Sequence, residues 1–427
     1  MPSKLIDDCF AHTKKRLLHE EALAILRTRL QPITETERVA LAGGVGRILK
    51  DPVVSARPVP AHTNAAVDGF SFASIDYDRV AGAELPIEGR AAAGHPLQDG
   101  PSRGVAVRVF TGAALPKGHD TVVMQEDVSI RGSAQSPLVA IPGGLRSGLN
   151  VRKAGEDIKA GETVLGPGAV LRPQDLAALA SIGCDAITCF QRLRVGIIST
   201  GDEVVRAGTG SLGPGQVYDA NAPMLLPLIA SAGATPTDLG VLPDRREAVN
   251  AKLAEAARTF DVVITSGGAS LGEEDHVVRA LEQLGKRHMW QLAIKPGRPM
   301  AFGQIGNCIF VGLPGNPVAV FVCFLLYVWP LLRRMGGAGW PEPRRYQLPA
   351  AFSFANRKLG RREFWRGILN ETSKGLAVEK FLRDGSGLIS GLRVADGLIE
   401  VPEDVPAVER GDLVSFIPFS EFGLLRQ

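Results

Sequence analysis

Three glycine-rich loops carry residue types that could do chemistry, and each follows a run of residues predicted to be a buried strand. They read STGDE at 199–203, SGGASLG at 266–272 and LPGNP at 313–317. Glycine lets backbone N–H groups approach an anion, and a following helix N-terminus adds partial positive charge. One such loop could equally be a tight turn, whereas three at one sheet edge favour a phosphate-bearing ligand. The candidate binding residues are Thr200, Gly201, Ser266, Gly267, Gly268, Ser270, Pro314, Gly315, Asn316 and Pro317.

Acidic residues collect in the same loops or in comparable turns, at Asp202, Glu203, Asp244 and Asp275. A phosphate site with several carboxylates needs a cation to offset the repulsion, and hard oxygen ligands select Mg²⁺. Each carboxylate alone is also explained as a helix N-cap or a solvated turn residue. As a set they favour metal-assisted chemistry on a phosphate. Walker A spacing is absent, which disfavours a P-loop. The GxGxxG spacing GTGSLG at 208–213 does not directly follow a strand-like run, which disfavours a Rossmann dinucleotide site.

Positive charge for the same ligand comes from the segment IKPGRP at 294–299. Its proline and glycine residues restrict the loop, so that Lys295 and Arg298 could meet one anion. Two further aspartates, Asp68 in AVDGFS and Asp157 in RKAGEDI, lie close to a glycine, a setting typical of turn-forming residues. Residue types alone give these two aspartates no further role.

The elements that must position these loops are predicted by the hydrophobic pattern from residue 193 onward. Strand-like runs alternate with helical segments at 222–232, 245–259, 274–284 and 316–332. Such alternation is typical of βαβ units with a largely parallel sheet. Ligands of open parallel sheets bind outside the carboxyl ends of the strands, where the three loops are predicted to lie.

The rest of the chain has a different character. Leucines and isoleucines among charges predict an amphipathic docking helix over 13–30, and short strand-like runs predict a β domain over about 50–150. A short helix is predicted over 173–181, with proline in its first turn. After the linker GGAGWPEP at 336–343, short strands predict a small β barrel or sandwich over 345–427.

Composition limits the classes of function. A chain of 427 residues with 45% hydrophobic and 22% charged residues is a folded protein of several domains. A net charge of +3 and 6% aromatic residues argue against a nucleic-acid binder. Five cysteines without a CxxC pair argue against a disulfide framework or a zinc site. The N-terminus lacks an export-signal pattern, and the apolar run Val318 to Leu332 is short for a membrane span, so a cytoplasmic protein is expected.

Seven motifs in order resemble those of the molybdopterin molybdenumtransferase family, which includes bacterial MoeA and the corresponding domain of gephyrin. GREFxR-like and GSGxxS-like pieces, at 360–366 and 385–390, extend the resemblance into the C-terminal region. The departures are Ala65, Val67 and Ala269, where the family pattern has Ser, Met and Val. The seven motifs are NAAVDGFS, FTGA, RKAGEDI, STGDE, GGASLGEEDHV, IKPGRP and GLPGNP.

The resemblance implies a multidomain α/β plus β fold with a Mog-like three-layer α/β domain, an inserted β domain and a C-terminal β barrel. It also implies an elongated homodimer, with each active cleft shared between the α/β domain of one subunit and the inserted domain of the other. The implied divisions are an N-terminal helix at 1–33 that packs with the α/β domain, a connector at 34–54 and 162–192, the inserted domain at 55–161, the α/β domain at 193–338 and the barrel at 339–427.

The activity implied by the resemblance is insertion of molybdenum into adenylylated molybdopterin. Molybdate is the second substrate, Mg²⁺ is the cofactor, and AMP is released. No covalent nucleophile is needed. The implied catalytic positions are Asp68, Thr111, Asp157, Glu203, Asp244 and Asp275, with Glu203, Asp244 and Asp275 as metal ligands. Lys295 and Arg298 match a basic pair associated with molybdate, although the second residue is usually Lys, and Arg366 and Ser390 fall in the C-terminal pieces as substrate-binding positions.

Two other functions stay open at this point. The chain could be a scaffold or carrier that holds the finished cofactor, although retention of the acidic set argues against a pure scaffold. It could also transfer adenylate to molybdopterin, although the α/β domain alone would suffice for that. A Mog-like adenylyltransferase and proteins that mature molybdoenzymes are the implied partners. The preference for molybdate or tungstate, the recipient enzymes and the strength of the dimer are not encoded in recognisable motifs.

Overall fold

The computed structural model describes residues 16–267 and 276–424. Its first helix, α1 (His19–Arg29), buries Ala22 and Leu26, and Leu17 and Leu30 are buried on either side of it. The N–H of Leu18 donates to the Glu21 carboxylate (3.1 Å), which closes the first turn. These apolar residues pack into the core of the α/β sheet described below. The amphipathic helix predicted over 13–30 is therefore confirmed over 19–29. Its start was wrong, because Leu17 forms a β-bridge with Leu292 and Leu18 is extended, and residues 13–15 lie outside the described residues.

Residues 36–190 form twelve short strands and one helix. The pairs β1–β12 and β2–β11 are antiparallel and pack with α2 around a small core that includes Leu49, Leu179 and Ile187. The predicted helix over 173–181 is confirmed at both ends. The elements are β1 (Thr36–Ala40), β2 (Val53–Val54), β3 (Asn64–Ala65), β4 (Gly69–Phe72), β5 (Ala83–Ala91), β6 (Ala106–Val109), β7 (Thr121–Met124), β8 (Ser129–Ser133), β9 (Ser136–Ile141), β10 (Val151–Arg152), β11 (Thr163–Leu165), α2 (Pro173–Ser181) and β12 (Ala186–Phe190).

Six of these strands form one sheet in the order β7-β4-β6-β5-β9-β8. Side chains that alternate along β4 to β9 fill two cores, one with Phe72 and Val139 and the other with Val107 and Val122. β3 and β10 pair beside this sheet. The structure thus confirms β structure in the region where short strands were predicted.

Residues 194–313 alternate strands with helices. The central sheet has the order β16-β13-β17-β21-β20-β18, in which the first four strands are parallel and β20 and β18 are antiparallel to their neighbours. β14 and β15 pair with each other outside this sheet, and β19 belongs to the C-terminal sheet. The strands of residues 194–313 are β13 (Arg194–Thr200), β14 (Val204–Val205), β15 (Val217–Tyr218), β16 (Thr235–Leu242), β17 (Val262–Ser266), β18 (Lys286–Gln291), β19 (Ile294–Lys295), β20 (Pro299–Ile305) and β21 (Cys308–Leu313).

Helices cover both faces of this sheet and make a three-layer domain. α3 (Asn221–Ser231) packs with α1 and the long apolar helix on one face, whereas α4 (Arg246–Thr259) and α5 (His276–Leu284) pack on the other. Because successive side chains of a strand point to opposite faces, Ile197 and Ile264 join the first core, and Ile198 and Val263 join the second. The helices predicted over 222–232 and 245–259 are confirmed to within one residue, and the helix predicted over 274–284 is confirmed from 276, since residues 274–275 lie outside the described residues.

The long apolar helix α6 (Pro317–Met335) meets the length and hydropathy criteria for a membrane span, and 89% of its most apolar window is buried inside the protein. The helix predicted over 316–332 is confirmed, and it continues through Pro330 to Met335. A π-helical turn at Phe324–Val328 precedes the proline. The wider turn makes room for the proline ring, which in a regular α-helix would clash with the carbonyl group one turn earlier. The burial on all sides explains the absence of a polar face.

The C-terminal region forms a third six-stranded sheet, with the order β19-β23-β25-β26-β22 and β24 paired to β23. A bridge between Ala350 and Val378 joins the segment after β22 to β24, so the sheet closes on itself as a barrel around its own core. The elements are β22 (Tyr346–Pro349), β23 (Arg362–Thr372), β24 (Gly375–Lys380), α7 (Ile389–Val394), β25 (Gly397–Val401) and β26 (Leu413–Pro418).

Candidate functional site

The loops after β13, β17 and β21 meet at the carboxyl edge of the parallel strands. Thr200 Oγ1 donates to the carbonyl of Ser266 (3.4 Å), and the N–H of Gly267 donates to the carbonyl of Leu313 (3.1 Å). Thr200 and Ser266 are both buried. The sheet topology therefore brings together the described parts of all three predicted loops. Gly268 and Ser270, two of the predicted binding residues, lie outside the described residues.

Asn221, at the start of α3, joins two of these loops and was not predicted as a site residue. Its Nδ2 donates to Ser266 Oγ and to the carbonyl of Gly315, each at 2.7 Å. Asp219, two residues earlier, accepts from the Asn221 N–H (2.9 Å) and from Ser199 and Arg206 side chains. The sequence YDAN offered only a helix-start pattern, so its role in holding the loops appears only in three dimensions.

The acidic residues of the β13 loop lie beside the turn that follows β16. The N–H of Asp244 donates to Asp202 Oδ1 (3.0 Å), and Asp244 is exposed. Partial desolvation is the largest cause of a raised Asp244 pKa, and the negative charges of Asp202 and Glu203 add to it. The backbone hydrogen bond with Asp202 and the His276 side chain lower the Asp244 pKa in part. Gly201 has φ +129°, and a Cβ there would lie 2.4 Å from Glu203 Oε2, so glycine lets that carboxylate fold over the loop.

This carboxylate cluster has the donor chemistry of a hard divalent cation. Asp202, Glu203 and Asp244 offer only carboxylate oxygen atoms, and a bound cation would offset the charges of Asp202 and Glu203, which add to the effect of burial on the Asp244 pKa. The structure places Asp244, one of the three predicted ligands, against Asp202, and the charge of Glu203, a second predicted ligand, is near enough to raise the Asp244 pKa. Asp275, the third predicted ligand and a predicted catalytic residue, lies outside the described residues.

A cavity of 470 Å³ opens where the LPGNP loop, the IKPGRP segment and the barrel meet. Lys295, Arg298, Pro314, Gly315 and Asn316 line it from the α/β side. Arg366 and Lys380 line it from the barrel side, together with Asp384. Four cationic side chains and one carboxylate therefore face this space among the described residues, which suits an anionic ligand. Pro317, also predicted, begins α6 directly behind the loop.

The IKPGRP segment is shaped by its packing on α6. Lys295 and Pro296 are joined by a cis peptide bond, and Gly297 has φ +104°. A Cβ on Gly297 would lie 2.2 Å from Cys323 Sγ, and that thiol donates to the Gly297 carbonyl (3.4 Å). Burial raises the pKa of the Cys323 thiol, so it packs here as a neutral group. Only glycine fits this close approach, which keeps Lys295 and Arg298 at the cavity.

The barrel wall of the cavity is held by internal hydrogen bonds. The Arg366 guanidinium donates to the carbonyls of Leu388 (2.9 Å) and Arg383 (2.5 Å), lies over the Phe381 ring, and has its pKa lowered by burial. Lys380 pairs with Asp384 at 2.6 Å and was not predicted. Ser390, predicted from the GSGxxS-like piece, is exposed in α7 and is not among the described residues that line the cavity, the last of which in the chain is Ser386.

The three predicted residues of the inserted domain are placed elsewhere in the subunit. Asp68 Oδ1 accepts from the N–H and the hydroxyl of Thr111, each at 2.8 Å, and the backbone bond is the larger cause of a lowered Asp68 pKa. Asp157 is exposed, and its N–H donates to Val59 (3.1 Å). None of the hydrogen bonds that these three residues make in the described part of the chain reaches the α/β loops. Within one subunit, Asp68 and Thr111 form one pair and Asp157 lies on a separate turn.

Comparison with known proteins decides the family. Residues 17–183 match the MoeA N-terminal region (domain I and II), residues 196–334 match a probable molybdopterin binding domain, and residues 347–419 match the MoeA C-terminal region (domain IV). A molybdopterin molybdenumtransferase of Haemophilus influenzae is 35% identical over 91% of this chain and 95% of its own length. This chain belongs to the MoeA family. A second molybdopterin molybdenumtransferase, from Nostoc, is 36% identical over 74% of this chain and 73% of its own length.

A solved structure supports the MoeA fold over nearly the whole chain. The molybdopterin biosynthesis MoeA protein of Pyrococcus horikoshii aligns with a TM-score of 0.79 at 29% identity, covering 95% of this chain and 100% of that protein. The predicted fold class, with an α/β domain, further β domains and a C-terminal barrel, is confirmed. The residue boundaries of the domains and the roles of the individual site residues stay predictions.

Proposed function

We propose that this enzyme of molybdenum cofactor biosynthesis inserts molybdenum into adenylylated molybdopterin, taking molybdate as the metal source and releasing AMP. The observation that carries the proposal is the cavity where Lys295 and Arg298 face Arg366 beside the LPGNP loop. Molybdate is a tetrahedral dianion, and guanidinium and ammonium groups bind such oxyanions through charge-assisted hydrogen bonds. Asp202 and Glu203 follow β13 and Asp244 follows β16, so the acidic residues stand after neighbouring strands of the same parallel sheet.

The two clusters divide the work between an oxyanion and a phosphoanhydride. We infer that Thr200, Ser266 and the described backbone of the neighbouring loops position the substrate phosphates, and that Lys295, Arg298 and Arg366 hold molybdate. Glu203 and Asp244, with Asp202 beside them, would hold Mg²⁺, which would supply Lewis-acid polarisation of the phosphoanhydride. The protein's own contribution is orientation and charge, because the described site residues include no activated nucleophile aimed into the cavity.

We also propose that the active enzyme is a homodimer. Asp68, Thr111 and Asp157 are the inserted-domain positions implied by the resemblance, and their contacts in one subunit stay away from the α/β loops. A neighbouring subunit can supply them to the cleft through an isologous arrangement. The cytoplasmic location and the further protein partners rest on the sequence alone.

The experiment that tests the proposal is an assay of AMP release. Purified protein is incubated with adenylylated molybdopterin, molybdate and Mg²⁺, and AMP is measured with each component omitted in turn. We expect release to depend on molybdate and on Mg²⁺. Tight cofactor binding without AMP release would favour the carrier function instead. Consumption of ATP with unmodified molybdopterin would favour adenylyl transfer.

A further inference from the structure

Glu363 is a buried carboxylate behind the basic wall of the cavity, and it has no role in the function argued so far. It is 1% exposed. Its Oε1 accepts from Arg361 Nε (3.0 Å), and its Oε2 accepts from Trp365 Nε1 (2.9 Å). The Lys295 ammonium stands 3.7 Å from the same Oε2. One carboxylate thus contacts both Lys295 and Trp365, two residues that line the cavity.

Strand pairing fixes this arrangement across two parts of the fold. β19 of the IKPGRP segment pairs in parallel with β23 of the barrel, with Lys295 opposite Glu363 and Ile294 opposite Arg362. The N–H of Arg362 donates to the Ala293 carbonyl (2.8 Å), which locks the register. A slip of one residue would turn Glu363 to the other face of the sheet. The barrel therefore supplies the charge that faces Lys295.

The distance between Glu363 and Lys295 leaves the lysine able to bind a ligand. At 3.7 Å the two groups attract each other but are too far apart for a hydrogen bond. The three N–H donors of the ammonium are consequently not used by Glu363, and the Lys295 side chain remains 40% exposed. Arg361 pairs with Oε1 of the buried carboxylate at 3.0 Å, and the attraction between Lys295 and Oε2 restrains the Lys295 ammonium on the cavity side.

We propose that Glu363 is a positioning residue of the oxyanion subsite, which tethers the Lys295 ammonium by charge while leaving its donors for molybdate. This inference rests on the proposed function, because the ligand of the cavity is taken to be molybdate. Glu363 itself touches neither substrate. Its effect reaches the ligand through Lys295, and through Trp365 it fixes the neighbouring aromatic wall.

Glu363→Gln tests the tether because glutamine keeps the shape and removes the charge. We expect the half-saturating molybdate concentration for AMP release to rise about tenfold, the equivalent of about 1.4 kcal/mol. The KM for adenylylated molybdopterin should change much less, since the phosphate-binding loops are untouched. The matched control is Glu400→Gln, another buried barrel carboxylate, which pairs with Arg345 and Arg362 outside the cavity lining. It should lower thermal stability and leave the molybdate dependence alone.

A double-mutant cycle separates positioning from a general structural effect. In the Lys295→Ala background, Glu363→Gln should no longer change molybdate half-saturation, whereas its effect on Tm should persist. Direct binding of molybdate, followed by the fluorescence of Trp365 against a Trp365→Phe reference, gives a readout that does not need turnover. We expect weaker binding in Glu363→Gln by the same factor.

Two results would overturn the inference. Unchanged or tighter molybdate binding in Glu363→Gln would show that the carboxylate does not tether Lys295 for the ligand. An equal effect of Glu363→Gln with and without Lys295 would make its role purely structural. Failure of the proposed function looks different, because the wild-type protein itself would then show no molybdate-dependent AMP release and no molybdate binding.

Discussion

Arg298 tests, at the scale of one residue, whether the cavity binds an oxyanion. It is exposed and lines the cavity beside Lys295, at a position where the motif it resembles usually has Lys. A planar guanidinium offers two parallel donors to a tetrahedral oxyanion, whereas an ammonium is a compact point charge. Arg298→Lys should therefore change molybdate half-saturation modestly. Arg298→Ala should raise it about 10- to 150-fold, the cost of one charge-assisted hydrogen bond.

The control for Arg298 is the other substrate. The KM for adenylylated molybdopterin should stay close to the wild-type value in both variants. If Arg298 only paired with a carboxylate, alanine would lower Tm and leave molybdate half-saturation as it was. Titrating molybdate at fixed pterin substrate separates these outcomes.

Asp244 is the residue at which stability and activity should move in opposite directions. Burial and the charges of Asp202 and Glu203 raise its pKa. An acid whose pKa is higher in the folded state stabilises the fold only when protonated, so this stability is lost as the pH rises through the raised pKa. At neutral pH the ionised group is a net cost. Asp244→Asn should thus raise Tm slightly without Mg²⁺ and abolish most AMP release.

Magnesium provides the check on this sign. Added Mg²⁺ should raise the Tm of the wild-type protein more than that of Asp244→Asn, because the cation relieves the repulsion that the variant has already lost. Excess Mg²⁺ should restore part of the lost turnover. Full AMP release by Asp244→Asn, or a Tm below that of the wild type, would remove Asp244 from the proposed cation site.

At the scale of elements, the contact between the IKPGRP segment and α6 determines where the two basic residues stand. Gly297 combines φ +104° with a space that Cys323 Sγ already fills. Gly297→Ala must distort the segment or the helix, and we expect a loss of about 1 to 3 kcal/mol of unfolding free energy with weakened molybdate dependence. Thermal or denaturant unfolding measures the first effect, and molybdate titration measures the second.

Gly315→Ala is the matched control for this prediction. Gly315 also lines the cavity, but a Cβ there would meet nothing within 4 Å, and its φ is not positive. Its alanine variant should keep nearly wild-type stability. A Gly297→Ala protein as stable as Gly315→Ala would show that the segment is not held by its packing against Cys323.

At the scale of the whole molecule, the described hydrogen bonds of Asp68, Thr111 and Asp157 do not reach the α/β loops, and we predict that the two groups of residues meet in a cleft shared by two subunits. We predict that Asp68→Ala and Glu203→Ala chains, each inactive alone, regain activity when mixed. In a mixed dimer one site carries both defects and the other carries neither, so complete exchange should restore about a quarter of wild-type AMP release. The Asp68→Ala and Asp157→Ala chains, both altered in the inserted domain, are the control.

This control pair should stay inactive on mixing, because every site then lacks one inserted-domain carboxylate. Light scattering on the same samples reports the oligomeric state. A fully active monomer, or recovery in the control mixture equal to that in the test mixture, would contradict the shared cleft.

The sequence by itself determined the elements that carry the chemistry and the order in which they occur. Glycine-rich loops after strand-like runs, the apolar pattern of α6 and proline at the start of α2 are local signals, and they predicted where α2 and α6 begin to within one residue. Such signals are readable because backbone conformation and hydrophobic period depend on near neighbours in the chain. Lys295 and Arg298 belong to one short motif, so the sequence alone predicted that they lie close together.

Only the tertiary structure decided which distant residues meet. Asn221 joins Ser266 to Gly315 across long loops, and Glu363 faces Lys295 because a barrel strand pairs with a two-residue strand of the α/β region. The fit of Gly297 against Cys323 and the continuation of α6 through Pro330 also depend on packing between segments far apart in sequence. Contacts of this kind arise from strand register and helix packing, which no single segment encodes.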